Sequence, residues 1–332
     1  MKRSFAAALA ACLLLCGCNA RPPAAPQPGL YELASGIPPE EVLLTVDGWE
    51  VPAGRYFYWL TADCDYIASQ YAEMGHAPDW ASDTGEQSLD DYVKEQALGT
   101  TVLYAVIESW SDRYGCALTA EDLANIQADW DAQAKANGGE GEYLALLANL
   151  GLDRAGAQLF SADYYLYEHL RAMSRTEGSP LYPPAGALDA YERQSGLITA
   201  DLLCFPTAAA AGKARIVLAG DAAADLNSLA ATGGGSWQRR TFSPEEDTFP
   251  ASVRKAAALL SRGELSQPVE TEEGAWLLRR RSIDQTALAD AWFEQLLQNA
   301  ADEAEVTLSD AYQSFTAQSF YQGLTQARQN TA

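Results

Sequence analysis

Reaction centres are built mostly from histidines, cysteines and clustered carboxylates, and this 332-residue chain holds two histidines, six cysteines and 45 acidic residues. His169 lies among Tyr164, Tyr165 and Tyr167 and could ligate a metal or shuttle a proton. No second His, Cys or carboxylate cluster accompanies it, so a helix-packing role is the favoured reading. With His76 as the only other histidine, a Ser-His-Asp or Cys-His hydrolase has almost no material. Cys64, Cys116 and Cys204 form no CxxC pair, which argues against zinc and against a thioredoxin-type centre. Cys64 and Cys116 both fall in helical segments and could form a disulfide, a pairing the sequence leaves open. Asp201 and Cys204 share a strand-like segment, but their odd spacing sends them to opposite faces and separates acid from thiol. Gly233-Gly234-Gly235 lacks the Lys-Ser/Thr of a phosphate loop and reads as a plain loop. No metal and no cofactor is expected. Tyr56, Phe57, Tyr58 and Trp59 occupy every face of one helical turn, so they cannot all be buried on one side. Each alone reads as core, while the group reads as a polypeptide-contacting surface, with Tyr56 and Trp59 as candidate contacts.

The elements that would position these residues change in texture near residue 186. Before it the pattern is mostly helical. VLLTVDGWEV, 42–51, reads as a short hairpin turning at Asp47-Gly48, and Pro52-Ala53-Gly54 leads into a helix carrying Tyr56, Phe57, Trp59, Leu60 and Ile67. A clear helix follows Ser88, which forms a capping box with Asp91, and Gly115 suits its stop. Thr119 and Asp122 repeat the cap before a helix ending at Asn137-Gly138-Gly139, and segments 142–150 and 153–174 complete the group. From 186 to 285 strands and helices alternate. LITADLLCF, 197–205, reads as a strand, KARIVLAG and DAAADLNSLAA as helices, TGGGS as a loop, 250–261 as a helix, and SQPVET and AWLLRRRS as strands joined at Glu273-Gly274. Beyond 286 helical texture returns, with Leu288, Trp292, Leu296 and Leu297 on one face. The fold expected is α+β, a helical domain over 36–185 and 286–332 interrupted by an α/β segment over 186–285. Without Lys2 and Arg3 the chain sets 20 basic against 45 acidic residues, which excludes binding of nucleic acid or anionic lipid through its own field and favours basic clients.

The first residues carry an address. Lys2 and Arg3 precede an apolar run from Phe5 to Leu15, long enough for a secretory signal and too short to span a bilayer. Leu15-Cys16-Gly17-Cys18 resembles the bacterial lipobox, which implies that 1–17 is a signal peptide, that Cys18 is the lipidated N-terminus, and that the Pro/Ala-rich 18–35 is a tether. An ordinary signal peptide with incidental cysteines is the alternative.

The order of domains is similar to that of the extracytoplasmic foldases of the PrsA and SurA type, in which a helical chaperone domain holds an inserted parvulin-type peptidyl-prolyl isomerase. The residues that carry the resemblance are LLTVDGWEVPAGRYFYWL, the pattern AEDLANIQADW to YLALLANLGLDRAGAQLF, ADLLCF, the glycines at 233–235, and above all RGELSQPVETEEGAWLL. It implies two histidines, a cysteine or aspartate, and a hydroxyl around a shallow apolar pocket for the proline ring. Asp201 stands at the first-strand histidine position and Trp276 at the last-strand one; Phe249 stands where methionine is usual and Ala258 where an aromatic is usual. The stretch that would bring the cysteine or aspartate is shortened, since Leu229-Ala230-Ala231 runs directly into Thr232 and the glycines. Phe249, Val253 and Trp276 are candidate peptide contacts, and no catalytic residue is assigned. The function implied is a lipid-anchored foldase on the extracytoplasmic face of the membrane, binding unfolded or newly exported polypeptides, with little isomerase activity. An active isomerase working through desolvation and backbone dipoles is the runner-up. A solute-binding lipoprotein would need two α/β lobes, which the helical first half does not offer.

Overall fold

The computed structural model describes residues 29–245 and 248–331. Cys18, the expected signal peptide and most of the expected tether lie outside the described residues. The framework starts with α1 (Leu30–Ser35), the hairpin β1 (Val42–Val46) and β2 (Trp49–Pro52), and five helices: α2 (Ala53–Glu73), α3 (Leu89–Tyr114), α4 (Ala120–Ala136), α5 (Glu140–Ala148) and α6 (Arg154–Arg175). Local chemistry sets these bounds. Asp47 and Gly48 both take positive φ, 49° and 82°, as a two-residue hairpin turn requires. Ser88 accepts the Asp91 amide at 3.1 Å, Thr119 and Asp122 cap each other reciprocally, and Gly115 closes α3 in the left-handed conformation.

The inserted segment runs through α7 (Ala187–Ser195), β3 (Ile198–Phe205), α8 (Ala208–Gly220), α9 (Leu226–Thr232), β4 (Ser236–Phe242), α10 (Ala251–Leu259), β5 (Val269–Thr271) and β6 (Gly274–Arg281). The chain then returns to the framework through α11 (Gln285–Glu303), β7 (Val306–Leu308), a 3-10 turn (Asp310–Ser314) and α12 (Ala317–Thr331).

Both flanks of the insert build one core. Tyr56, Phe57 and Leu60 of α2 are fully buried in one core with Phe293 of α11 and Phe320 and Leu324 of α12, with the Phe57 and Phe320 rings stacked at 4.9 Å. β7 pairs antiparallel with β1, giving a small sheet in the order β2-β1-β7. Residues 260 positions apart in the chain thus close on one another, as with Val46 opposite Val306.

Two expectations are corrected and one open pairing is decided. Leu30–Ser35, expected in the tether, is a helix: Tyr31 is buried against Phe57 and Phe320. It crosses α12 so closely that a Cβ on Gly323 would stand 2.4 Å from the Ala34 carbonyl oxygen. Ser236–Phe242, which begins inside the expected TGGGS loop, is a full strand, because it has the whole length of β3 to pair with. Cys64 and Cys116 are both free: Cys64 is buried inside α2, and Cys116 lies beyond the α3 cap, its Sγ 3.2 Å from Met173 Sδ. A smaller shift is that the helix expected from Asp221 starts at Leu226, where Asp225 accepts the Ser228 amide at 2.6 Å.

Candidate peptide-binding surfaces

The inserted sheet has the order β4-β3-β6-β5, every neighbour antiparallel. Side chains alternate between its faces. Leu203, Phe205, Ala275 and Leu277 pack under α8 and α9, while Ile198, Ala200, Leu202, Trp276 and Leu278 pack with Val253 and Ala257 of α10. Burial on both faces explains why β3 reads as a nearly continuous apolar run broken by Asp201.

Register decides which expected residues meet. Phe249, Val253 and Trp276 do come together on the α10 face. The Trp276 ring lies 6.0 Å from Phe249, which lies 5.1 Å from Phe242, and Trp276 Nε1 donates to Thr271 Oγ1 at 3.3 Å. Trp276 is 6% exposed and Val253 is fully buried, so the hollow between sheet and α10 is filled by the protein's own side chains. Asp201 is not among them. Its cross-strand partner on β6 is Arg279, whereas Trp276 faces Cys204, so Asp201 and Trp276 point to opposite faces of the sheet. The two positions expected around one pocket therefore do not share it, and the residues beside Trp276 on its own face are Cys204, Leu202 and Leu278.

Asp201 instead anchors a cluster that sequence reasoning missed. Arg239 Nε donates to its Oδ1 at 2.9 Å, Arg281 Nε donates to Oδ2, and Arg279 Nε lies 3.5 Å from Oδ2. Burial alone raises the carboxyl pKa; the hydrogen bonds and charges of Arg239 and Arg281 outweigh it and hold the group below its ordinary value. Asp201 is a structural counter-ion here, with no open position for a reacting group.

The aromatic turn of α2 divides in two. Tyr56, offered as a contact, is fully buried in the framework core, its hydroxyl directed at the Lys94 carbonyl, and presents nothing to a client. Trp59 is half-buried and belongs to a partly exposed cluster, with Tyr104 at 4.9 Å and Phe160 at 5.7 Å, and with Tyr58 4.1 Å from Phe160. Beneath it the Arg55 guanidinium sits 4.4 Å from the Phe160 ring centre and hydrogen-bonds both Glu108 and Asp163. Trp49 Nε1 adds a bond to Glu108 at 3.1 Å. Burial pushes the Asp163 carboxyl up to about 6; Arg55 opposes the shift and Glu108 adds to it. Arg55, Glu108 and Asp163 lie in three different helices, and no local spacing marks them as partners. His169 pairs with Asp122 Oδ2 at 3.2 Å and packs α6 against α4.

Among the described residues no group of three His, Cys, Asp or Glu side chains is placed to hold a metal ion, and no helix is long and apolar enough to cross a membrane. A four-stranded antiparallel sheet with a helix pair on one face and a single helix on the other: this local arrangement is accompanied by a sequence match. Residues 189–295 match the PPIC-type PPIase domain. The matched span runs from α7 into α11 and includes the whole inserted sheet. No curated protein matches the chain. Among solved structures, PrsA from Bacillus subtilis is 15% identical over 76% of this chain and 92% of its own, at a TM-score of 0.31. The foldase protein PrsA from Streptococcus pneumoniae is 18% identical over 76% and 98%, at 0.28. A SurA-like chaperone from Campylobacter jejuni is 11% identical over 81% and 99%, at 0.24. At such scores these likenesses carry no weight for the arrangement of this chain, which rests on its own topology. The chain is α+β, with the PPIC-type domain set inside a helical framework.

Proposed function

We propose that the chain is a foldase of the holdase kind: its framework holds unfolded, newly exported polypeptides, and its PPIC-type domain binds without isomerising. The observation that carries this is the filled hollow on the α10 face. Rotating an X-Pro bond crosses a barrier of about 18–20 kcal/mol, and a catalyst must bind the twisted amide better than the planar one. Trp276 and Val253 leave no room for a proline ring, and no histidine lies in the domain. The partly exposed rim of Tyr58, Trp59, Tyr104 and Phe160 offers the framework a place for apolar client segments, and its acidic surface favours clients that are basic. Cys18 is the proposed lipid anchor, placing this activity on the extracytoplasmic face of the membrane.

Two assays on the chain from residue 19 onward test the reading. Isomerisation of a short X-Pro peptide should stay at the spontaneous rate, tens to hundreds of seconds, while aggregation of an unfolded basic client is suppressed. Clear acceleration by this chain would make it an isomerase instead. For the anchor, Cys18→Ser should release the protein from membranes or leave it as unprocessed precursor. Freely soluble wild-type protein with an unmodified N-terminal residue would reject lipidation.

A further inference from the structure

The outer edge of β4 is an unpaired strand edge of unusual quality. Leu278 and Arg280 of β6 bond away from β3, to Ser266, Glu264 and Gly263. By alternation the odd-numbered residues of β6 and β3 bond each other, and the even-numbered residues of β3 bond Ser236, Gln238, Arg240 and Phe242. Trp237, Arg239 and Thr241 therefore direct their N–H and C=O groups outward, where no described residue takes them.

Natural edges are blunted by shortness, proline or a bulge. β5, the opposite edge, is three residues long, whereas β4 pairs over seven in unbroken register with no proline or glycine. Only charge guards it. Arg239 and Arg240 stand exposed on its two faces, and behind Arg239 three guanidiniums share the single carboxylate of Asp201. Like edges would repel one another across these arginines. A strand of opposite charge would be drawn in.

We infer that the β4 edge of the PPIC-type domain takes an extended acidic segment of a client polypeptide as a fifth strand. Main-chain bonds to Trp237, Arg239 and Thr241 supply the affinity, as in other strand additions. Arg239 and Arg240 select consecutive acidic residues, because neighbours on the added strand face opposite sides of the sheet. The site is the electrostatic converse of the framework, which repels such segments. It rests on the holdase reading only in taking unfolded chain as the source of the strand.

The probe is a fluorescein-labelled eight-residue peptide of Thr and Val with Glu-Asp at its centre, titrated into the chain from residue 19. The expected result is saturable binding that slows hydrogen exchange at Trp237, Arg239 and Thr241. N-methylation of alternate peptide residues along its bonding edge, or Lys-Lys in place of Glu-Asp, should each weaken binding at least tenfold. Thr241→Pro removes an outward N–H from the ladder, together with the hydroxyl that pairs with Thr199 Oγ1 at 2.7 Å, and should do the same, leaving suppression of client aggregation intact. If that variant misfolds, the N-methylated peptide decides. Equal binding of the N-methylated or Lys-Lys peptide, unchanged exchange at the three amides under saturation, or no binding at millimolar peptide would overturn the site. Loss of aggregation suppression by the wild-type chain would instead strike the holdase reading, independently of the peptide result.

Discussion

The framework and the inserted domain each bury an aspartate against arginine, in opposite proportions. In the framework Asp163 and Glu108 share the one guanidinium of Arg55, and burial leaves the Asp163 carboxyl raised to about 6. In the inserted domain Arg239, Arg279 and Arg281 surround Asp201, and its carboxyl is held low despite complete burial. Burial pushes both groups the same way, so the count of charges in contact sets the sign of the shift. The surfaces follow suit. Residues 29–185 and 286–331 carry eight basic against 32 acidic side chains, whereas 186–285 carry eleven against thirteen. Nearly all of the net charge of −23 thus belongs to the framework, and the inserted domain is close to neutral with its arginines gathered on β4 and β6.

The difference can be broken from the framework side first. Truncation at 285 removes Phe293, Leu297, Phe315, Phe320 and Leu324 from the framework core, and each large buried side chain is worth several kcal/mol. That variant should fail to fold, with helical circular dichroism and cooperative melting both lost. A cooperative transition in it would show that the two flanks do not form one core.

Next in size is a pair of matched substitutions. Asp201→Asn leaves three guanidiniums without a counter-ion and should cost about 3 kcal/mol in the inserted domain. Asp163→Asn leaves Arg55 paired with Glu108 and should cost under about 1 kcal/mol. Denaturant midpoints of the two variants measure the contrast, and equal losses would dissolve it.

The pH dependences should also run in opposite senses. Asp163 and Asp63 are both raised to about 6 by burial, so their stabilising preference for the protonated form is complete below the ordinary carboxylate range and is lost as pH rises through 6. The low Asp201 carboxyl contributes stability above that range and loses it only as pH falls through its folded value. Lowering the pH from 7 to 5 should therefore raise the framework's melting temperature and leave the inserted domain's unchanged. Asp63→Asn should flatten the framework's response by about 1 kcal/mol, a figure reduced for the partial exposure of the residue. A parallel movement of both transitions would contradict these assignments.

What the sequence made legible was local. Caps at Ser88 and Thr119, the Asp47-Gly48 turn and the long amphipathic helices are decided by residues within a few positions of one another. The strand β4 was not legible, because SWQRRTF is polar on both faces and becomes a strand only with β3 beside it. β7 has three residues and exists because Asp47 bonds the Glu305 main chain from across the fold. The site suffered similarly. Phe249, Val253 and Trp276, named from the resemblance, share the α10 face, but the faces of Asp201 and Trp276 depend on strand register, which no local pattern reports. Tyr56 and Trp59 sit three apart on one helix, and only the packing of Tyr312 and Phe315 from the far end of the chain shows that the first is sealed and the second half open.

The most direct test replaces 186–285 by a short Gly/Ser linker. Its ends meet in the fold, since Ala185 and Gly186 line the same hollow as Gln285, and loop closure adds little because its cost grows only with the logarithm of length. The measurement is suppression of aggregation of an unfolded basic client by this deletion variant, beside the isolated insert. The account predicts a folded helical protein that keeps most of the suppression. A folded deletion variant with none, and an isolated insert with all of it, would contradict the account and make the framework a stalk.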